Sequence, residues 1–165
     1  MKLKMFKILL PLAMVFTMVS CNSDASETTS TNKTLVTTYN YNDTELNLVA
    51  IINTYRQSIG LNSLEVINHI SYKCEEHNQY MIANNVVNHE YFQDRVDNLV
   101  TVLNAQTVAE NIAYNYSSAA AVLNAWLNSP IHKQNIEGDF TNFGLAVTPD
   151  PETGKNYFTC IFIKK

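Results

Sequence analysis

The stretch GLAVTPDPETGKNYFTCIFI, residues 144–163, indicates the architecture of this chain of 165 residues. Residues 144–148 and 157–163 have the composition of β-strands, and the connection between them contains two prolines and a glycine. Two such runs joined by a turn-rich segment predict an antiparallel β-hairpin. Helical patterns precede the hairpin along the chain, so the sequence predicts an α+β fold.

The region before the hairpin shows apolar residues at the spacing of helices, with capping residues and helix breakers between the runs. Four helices are predicted: from residues 42–44 to Gly60, from 66 to 84, from 93 to 103, and from Ser117 or Ser118 to Ser129-Pro130. The second helix has an apolar stripe that includes His77. Because its neighbours on that stripe are apolar, we interpret His77 as a packed core histidine and not as a ligand.

The N-terminus has the pattern of a secretory signal. Three lysines stand among the first seven residues, an apolar run follows at 8–19, and small residues come next, which predicts a signal peptide over residues 1–20. The apolar run is shorter than the roughly 20 residues that a transmembrane helix needs. Met18-Val19-Ser20-Cys21 resembles a bacterial lipobox, in which Cys21 carries the lipid. The alternative is an ordinary cleavable signal.

A lipid on Cys21 would place the chain in the cell envelope, outside the cytoplasm, with the membrane as a partner. Asn22 follows the cysteine, where some bacteria use Asp for inner-membrane retention. The sequence therefore favours the outer membrane. Removing residues 1–20 leaves 8 basic and 15 acidic residues, a net charge of −7. This charge disfavours nucleic-acid binding.

Residues 21–43 are predicted to form a tether and residues 44–165 the folded domain. Of the 22 residues from 22 to 43, 15 are Ser, Thr, Asn or Asp, which is typical of a solvated linker. The apolar and aromatic residues at its end could instead dock on the domain as an arm. Lipidation of Cys21 leaves Cys74 and Cys160 as an even pair in an oxidising compartment. A disulfide and two buried thiols both stay open for this pair.

Several common sites are excluded by inspection: the sequence has no glycine-rich phosphate loop, no Cys-x-x-Cys pair and no Gly-x-Ser-x-Gly motif. Three polar residues in irregular places remain: His89, Glu110 among apolar residues, and His132 after a helix-stopping proline. Two imidazoles and a carboxylate could hold a divalent cation such as zinc or exchange protons. The alternative is three unrelated polar side chains.

These segments resemble a known family. Ala109-Glu110-Asn111-Ile112-Ala113 is similar to the Gly-Glu-Asn-Ile-Ala signature of the CAP superfamily, the cysteine-rich secretory, antigen 5 and pathogenesis-related proteins. Trp126-Leu127-Asn128-Ser129-Pro130-Ile131-His132-Lys133-Gln134-Asn135 is similar to the family's bacterial Trp-x-x-Ser-Pro-x-His-x-x-Asn block. The resemblance runs from about Leu46 to Phe162.

The resemblance implies an α-β-α sandwich with a small antiparallel sheet between helices. It also implies a surface cleft that includes His89, Glu110 and His132. A second family glutamate lies where this chain has Ser129. Some members bind divalent cations in this cleft and others bind sterols or lipids elsewhere on the fold, while no shared enzymatic activity follows.

Three functions are open at this point. The first is a non-enzymatic, envelope-anchored binding module that takes a cation or a small or peptide ligand. The second is a metal-assisted hydrolase of peptides or envelope material, with His89 and His132 on the metal and Glu110 as ligand or general base. The third is a lipid-binding protein. Ser129 could be a nucleophile near His132, although a helix-end serine that bonds to backbone is the simpler interpretation.

Overall fold

The computed structural model describes residues 34–165, so the predicted signal peptide and Cys21 lie outside the described residues. The elements in chain order are α1 (Asp43–Ser58), β1 (Glu65–Val66), α2 (Asn68–Asn84), α3 (Phe92–Leu103), β2 (Thr107–Tyr114), α4 (Ala119–Leu127), α5 (Pro130–Ile136), β3 (Asn142–Pro149) and β4 (Asn156–Lys164). The predicted α+β class is confirmed. Within residues 34–165, none of the helices has the length and apolar character needed to cross a membrane.

The four strands form one sheet in the order β1-β3-β4-β2. Strands β3 and β4 are the predicted antiparallel hairpin, and β2 pairs antiparallel with the far side of β4. Strand β1 contributes two residues, paired parallel with β3. Strand β2 therefore lies at an edge of the sheet, with Glu110 opposite Ile161 and Asn111 opposite Cys160 in its register with β4.

Side chains alternate between the two faces along each strand, so β4 presents apolar side chains on both faces. Helices cover both faces of the sheet and bury these side chains. Phe158, Cys160 and Phe162 of β4 pack in one cluster with residues of α1, α4 and α5. Ile161 and Ile163 pack in another cluster with residues of α2 and α3. The predicted α-β-α sandwich is confirmed, with α1, α4 and α5 on one side and α2 and α3 on the other.

Helix α2 approaches the sheet closely over Gly144 of β3. A Cβ atom at Gly144 would lie 2.5 Å from the backbone nitrogen of Ser71 and 2.6 Å from Cβ of Ile70. Contacts that short do not occur without a shift of backbone, so any larger residue would push the helix off the strand. Glycine at position 144 thus sets the distance between α2 and the hairpin.

The two cysteines of the described chain are both free and fully buried. Cys74 lies on α2 and its Sγ donates to the backbone oxygen of Gly144 at 3.4 Å. The side chain of Cys160 points to the opposite face of the sheet, towards α1 and α4. Cys74 and Cys160 lie on opposite faces of the sheet, and a disulfide between them would have to pass through it. Of the two alternatives for this pair, the structure shows two buried thiols.

Two local predictions are wrong. Glu110 lies in strand β2, not in an irregular segment. Pro130 follows the end of α4 as predicted, but it is also the first residue of α5, where proline lacks only an N–H that has no helical partner. His132 therefore lies inside a short helix and not in a loop beyond one.

Residues 34–42 run along the domain before α1 begins, and hydrogen bonds tie them to α1 and α2. These bonds are Val36 N to His69 Nδ1 at 3.1 Å, Tyr39 Oη to Glu45 Oε1 at 3.0 Å, and Tyr41 Oη to Asn68 Oδ1 at 3.1 Å. His69 is fully buried at this contact. The described end of the 21–43 segment is docked as an arm.

Candidate functional site

The site is built around the carboxylate of Glu110, whose side chain is only 1% exposed. Both of its oxygens are bound by one guanidinium: Arg95 Nε donates to Oε2 and Nη2 donates to Oε1, each at 2.7 Å. Arg95 lies on α3 and is itself buried, and its Nη1 donates to the backbone oxygen of Glu90 at 2.8 Å. This paired geometry is the strongest ion-pair arrangement that side chains form.

His89 also binds this carboxylate, since its Nδ1 lies 2.8 Å from Glu110 Oε1. The oxygen of an ionised carboxylate can only accept, so Nδ1 carries the proton and donates. Among residues 34–165 the Nε2 atom of His89 has no hydrogen-bond partner, and the side chain is 50% exposed. Glu110 thus fixes both the tautomer and the orientation of His89.

The loop that carries His89 is fixed from below by α2. His77 is buried, as predicted for a core histidine, and its Nε2 donates to the backbone oxygen of Asn88 at 2.8 Å. The other ring nitrogen of His77 is buried without a hydrogen-bond partner. Burial lowers the pKa of His77 to about 4, with the charge of Arg95 acting in the same direction. His77 is therefore a neutral support for the loop.

The charge state of Glu110 follows from its partners. Burial alone raises the pKa of this carboxyl, but the hydrogen bonds from His89 and Arg95 and the charge of Arg95 outweigh burial and hold it below its ordinary value. Glu110 stays ionised at neutral pH. A carboxylate with a lowered pKa and both oxygens occupied is poorly suited to act as a general base.

His132 reaches the same edge of the sheet from the other face. Asn111 Nδ2 donates to the backbone oxygen of His132 at 3.0 Å, and Asn135 Nδ2 donates to Asn111 Oδ1 at 2.8 Å. These amide bonds hold α5 against β2. Burial lowers the pKa of His132, and the charge of His89 adds to the effect, so the two imidazoles lie within electrostatic reach of each other.

The neighbours Glu110 and Asn111 thus point to opposite faces of edge strand β2, and each positions one histidine. We call this arrangement the two-histidine site: His89 and His132 with the supporting side chains of Glu110, Arg95 and Asn111. The structure brings His89 and Glu110 into contact and holds the backbone of His132 against the same strand.

The predicted three-residue metal set is not assembled. Among residues 34–165, no group of three or more His, Cys, Asp or Glu side chains could hold a metal ion. Arg95 and His89 donate three hydrogen bonds to the two oxygens of Glu110, so a metal would have to compete with these donors for the carboxylate.

Ser129 occupies the residue before the first turn of α5, but its hydroxyl makes no capping hydrogen bond. In the described part of the chain it also has no hydrogen bond with His132. The structure therefore gives Ser129 neither the role of a paired nucleophile nor the predicted bond to backbone.

Arg95 is the residue of the site that the sequence did not single out. It lies on the predicted third helix, four residues before the buried Leu99. Arginine at that spacing from a core residue indicates that it faces inward, and a buried arginine needs an anionic or carbonyl partner. That signal points to burial, but not to Glu110 as the partner.

Comparison with known proteins agrees with this architecture. Residues 49–162 match the CAP family, described as the cysteine-rich secretory protein family. This chain belongs to that family. Over 127 residues it is 30% identical to the uncharacterized membrane protein YlbC of Bacillus subtilis. That alignment covers 73% of the chain and 34% of YlbC, so this CAP protein spans about a third of the length of its curated relative.

Solved structures share the CAP fold. An outer surface protein from Borrelia burgdorferi superposes with a TM-score of 0.69 at 22% identity, covering 77% of this chain and 96% of that one. An extracellular protein of Bacillus anthracis that contains an SCP domain gives a TM-score of 0.66 at 26% identity, covering 74% of this chain and 40% of that one. The first of these likenesses supports the fold alone.

Proposed function

We propose that this CAP protein is an envelope-anchored, non-enzymatic binding module. Its two-histidine site takes a divalent cation such as zinc, and through the cation a small or peptide ligand. One observation carries the proposal: a buried, ionised Glu110 holds His89 by Nδ1 and leaves Nε2 facing solvent. Metal-ligating histidines commonly donate their other ring N–H to a carboxylate in this way.

The roles within the site differ from those in a three-ligand centre. His89 and His132 would hold the cation, while Glu110 would orient His89 from outside the coordination sphere. Arg95 keeps Glu110 ionised and immobile. A bound cation supplies Lewis acidity and open coordination positions. The residues of this chain supply orientation, and none of the described side chains around the imidazoles is placed as a base or nucleophile.

Exposed apolar side chains beside the histidines support a ligand larger than the cation. Tyr91 is 56% exposed two residues after His89, and Ile131 is 72% exposed next to His132. Exposed apolar patches rimmed by polar residues mark ligand-contact surfaces, and these two side chains flank the two histidines in sequence. A peptide or small organic ligand could bind the cation and contact these two side chains.

The proposal of envelope anchoring is supported by the sequence pattern at Cys21 and by the names of the similar proteins. The similar proteins are named an outer surface protein, an extracellular protein and a membrane protein. We expect a Cys21→Ala protein to leave the membrane fraction when cells are separated by ultracentrifugation. A variant that remains in that fraction would contradict lipid anchoring.

The cation is tested by titrating zinc into the metal-free full chain in a calorimeter. We expect saturable heats from the wild type and none from the His89→Ala, His132→Ala double variant. His69→Gln is the matched control, because His69 is fully buried at the arm and away from the proposed ligands. Heats that are the same in wild type and double variant would rule out the two-histidine site as the place of binding.

A further inference from the structure

A cavity lies where the arm crosses α2, and none of its lining residues belongs to the two-histidine site. It has a volume of about 280 Å³ and is lined by Thr38, Tyr39, Asn40, Tyr72 and Glu75. Pockets for drug-sized ligands hold about 300–1,000 Å³, so this cavity is sized for a small molecule or for the end of a larger one.

The lining combines aromatic rings with a carboxylate. Tyr39 is held in place by the hydrogen bond from its hydroxyl to Glu45 and by an edge contact of its ring with Tyr41 at 4.7 Å between centroids. Tyr72 comes from α2 on the other side of the cavity. Ring faces with a nearby carboxylate attract organic cations, because the ring quadrupole and the negative charge act together.

Glu75 is the negative charge that the protein leaves uncompensated here. Its neighbour Glu76 pairs with the ammonium of Lys73, whereas within residues 34–165 Glu75 has no ion pair or hydrogen bond. The negative charge of Glu75 contributes to raising the pKa of Tyr39, after burial and the charge of Glu45. Burial likewise raises the pKa of Glu45, and Glu75 adds to that effect. The cavity therefore favours a positive guest.

The ring of Tyr72 already contacts one ammonium group, that of Lys73. The Nζ atom of Lys73 lies 5.7 Å from the centroid of the Tyr72 ring, within the range of a cation-π contact. Since Lys73 is paired with Glu76, it does not neutralise Glu75. Lys73 is not among the residues that line the cavity, so Glu75 is the charged side chain that a guest would meet there.

We propose that this cavity, the arm cavity, binds an organic ammonium group. A free amine, a lysine side chain and a quaternary lipid headgroup share that chemistry. The arm supplies Tyr39 and α2 supplies Tyr72 and Glu75, so the site exists only while the arm is docked. It is independent of the cation proposed for the two histidines.

The test titrates the full chain with choline chloride and follows aromatic proton shifts by NMR, with sodium chloride at equal ionic strength as reference. The neutral isostere 3,3-dimethylbutan-1-ol is titrated in parallel. We expect saturable shifts of the Tyr39 and Tyr72 rings with choline and none with the isostere. Equal responses to both compounds, or no saturable response to choline, would overturn the proposal.

Variants assign the binding to the cavity. Glu75→Gln and Tyr72→Leu should each weaken choline binding by about two- to fivefold, the effect of losing one cation contact at a partly exposed site. Tyr72→Phe keeps the ring and should bind as the wild type does. Glu152→Gln makes the same charge change on the turn between β3 and β4 and is the matched control. Unchanged affinity in both Glu75→Gln and Tyr72→Leu would contradict the assignment.

A second set of measurements identifies the source of the ammonium. Nα-acetyl-lysine amide and phosphatidylcholine vesicles are compared, with phosphatidylglycerol vesicles as the control surface. Competition between choline and the lysine derivative supports a peptide or free amine as guest. Wild-type retention on phosphatidylcholine that Glu75→Gln reduces supports a headgroup. If neither source competes with choline and the choline response itself is unchanged in Glu75→Gln, binding of an ammonium at this cavity is contradicted.

Discussion

The chain has only two arginines, Arg56 and Arg95, and the structure buries both. Arg56 donates to neutral groups: the backbone oxygens of Asn62, Ile136 and Gly138 and the side-chain oxygen of Asn62. Arg95 instead forms a two-point ion pair with Glu110. Two residues of the same type, buried to similar degrees, therefore bind partners of different charge.

The difference separates support of the fold from support of the site. Arg56 joins the end of α1 to the loop before β1 and to the segment that follows α5, so its bonds connect elements far apart in sequence. Arg95 holds one carboxylate, and that carboxylate holds His89. Removing Arg56 should harm stability alone, whereas removing Arg95 should harm both stability and ligand binding.

The largest effect is expected for Arg56→Met. Methionine fills space but leaves the backbone oxygens of Asn62 and Ile136 without donors, whereas Gly138 keeps the N–H of Phe140. Each unsatisfied buried group costs roughly 1–3 kcal/mol. We expect the free energy of unfolding in urea to fall by about 4 kcal/mol. Zinc affinity of the remaining folded protein should stay within a factor of two of wild type. A loss below about 1 kcal/mol would show that water replaces the guanidinium at little cost.

Arg95→Met should cost less stability, about 3 kcal/mol, because Glu110 can take up a proton once its cation is gone. The same variant should weaken zinc binding about 10- to 100-fold, since His89 loses its fixed orientation. The double variant Arg95→Met, Glu110→Gln should recover part of the stability but not the affinity. Calorimetry measures the zinc affinity, and urea denaturation measures the free energy of unfolding. Wild-type zinc affinity in Arg95→Met would remove the proposed difference between the arginines.

A smaller effect comes from His77, which supports the His89 loop. Burial lowers its pKa from 6.5 to about 4. Between these values the unfolded chain takes up a proton that the folded chain refuses, so stability falls as the pH drops through this window. His77→Gln keeps a donor for Asn88 but has no titrating ring. We expect its free energy of unfolding in urea to fall by about 2 kcal/mol less than that of the wild type when the pH is lowered from 7 to 4.5. An equal fall in the free energy of unfolding of wild type and His77→Gln over this pH range would contradict a neutral, buried His77.

Much of the fold follows from local pattern. The helices α1, α2 and α3 and the hairpin lie within two residues of the predicted bounds, because their caps, apolar stripes and turn residues are local signals. Strand β2 was missed since Glu110, buried within it, breaks the alternation expected of a strand. Helix α5 was missed because a proline that ends one helix can also begin the next.

The site was predicted only in part. The motifs identified His89, Glu110 and His132 as a group, and the structure brings His89 and Glu110 together. The role of Glu110 could not be predicted, because it depends on Arg95, which comes from another element 15 residues away and competes for the same oxygens. A sequence shows which side chains are available, but the partner that occupies a carboxylate is decided by tertiary packing.

The central claim is that His89 and His132 bind the cation while Glu110 stays outside its coordination sphere. A crystal structure of the zinc-loaded chain, with anomalous diffraction at the zinc edge, tests it directly. We predict a single strong peak about 2.0–2.1 Å from one nitrogen of each imidazole, with Glu110 still paired to Arg95. A peak bound by a Glu110 that has left Arg95, or no peak at the two histidines, would contradict the account.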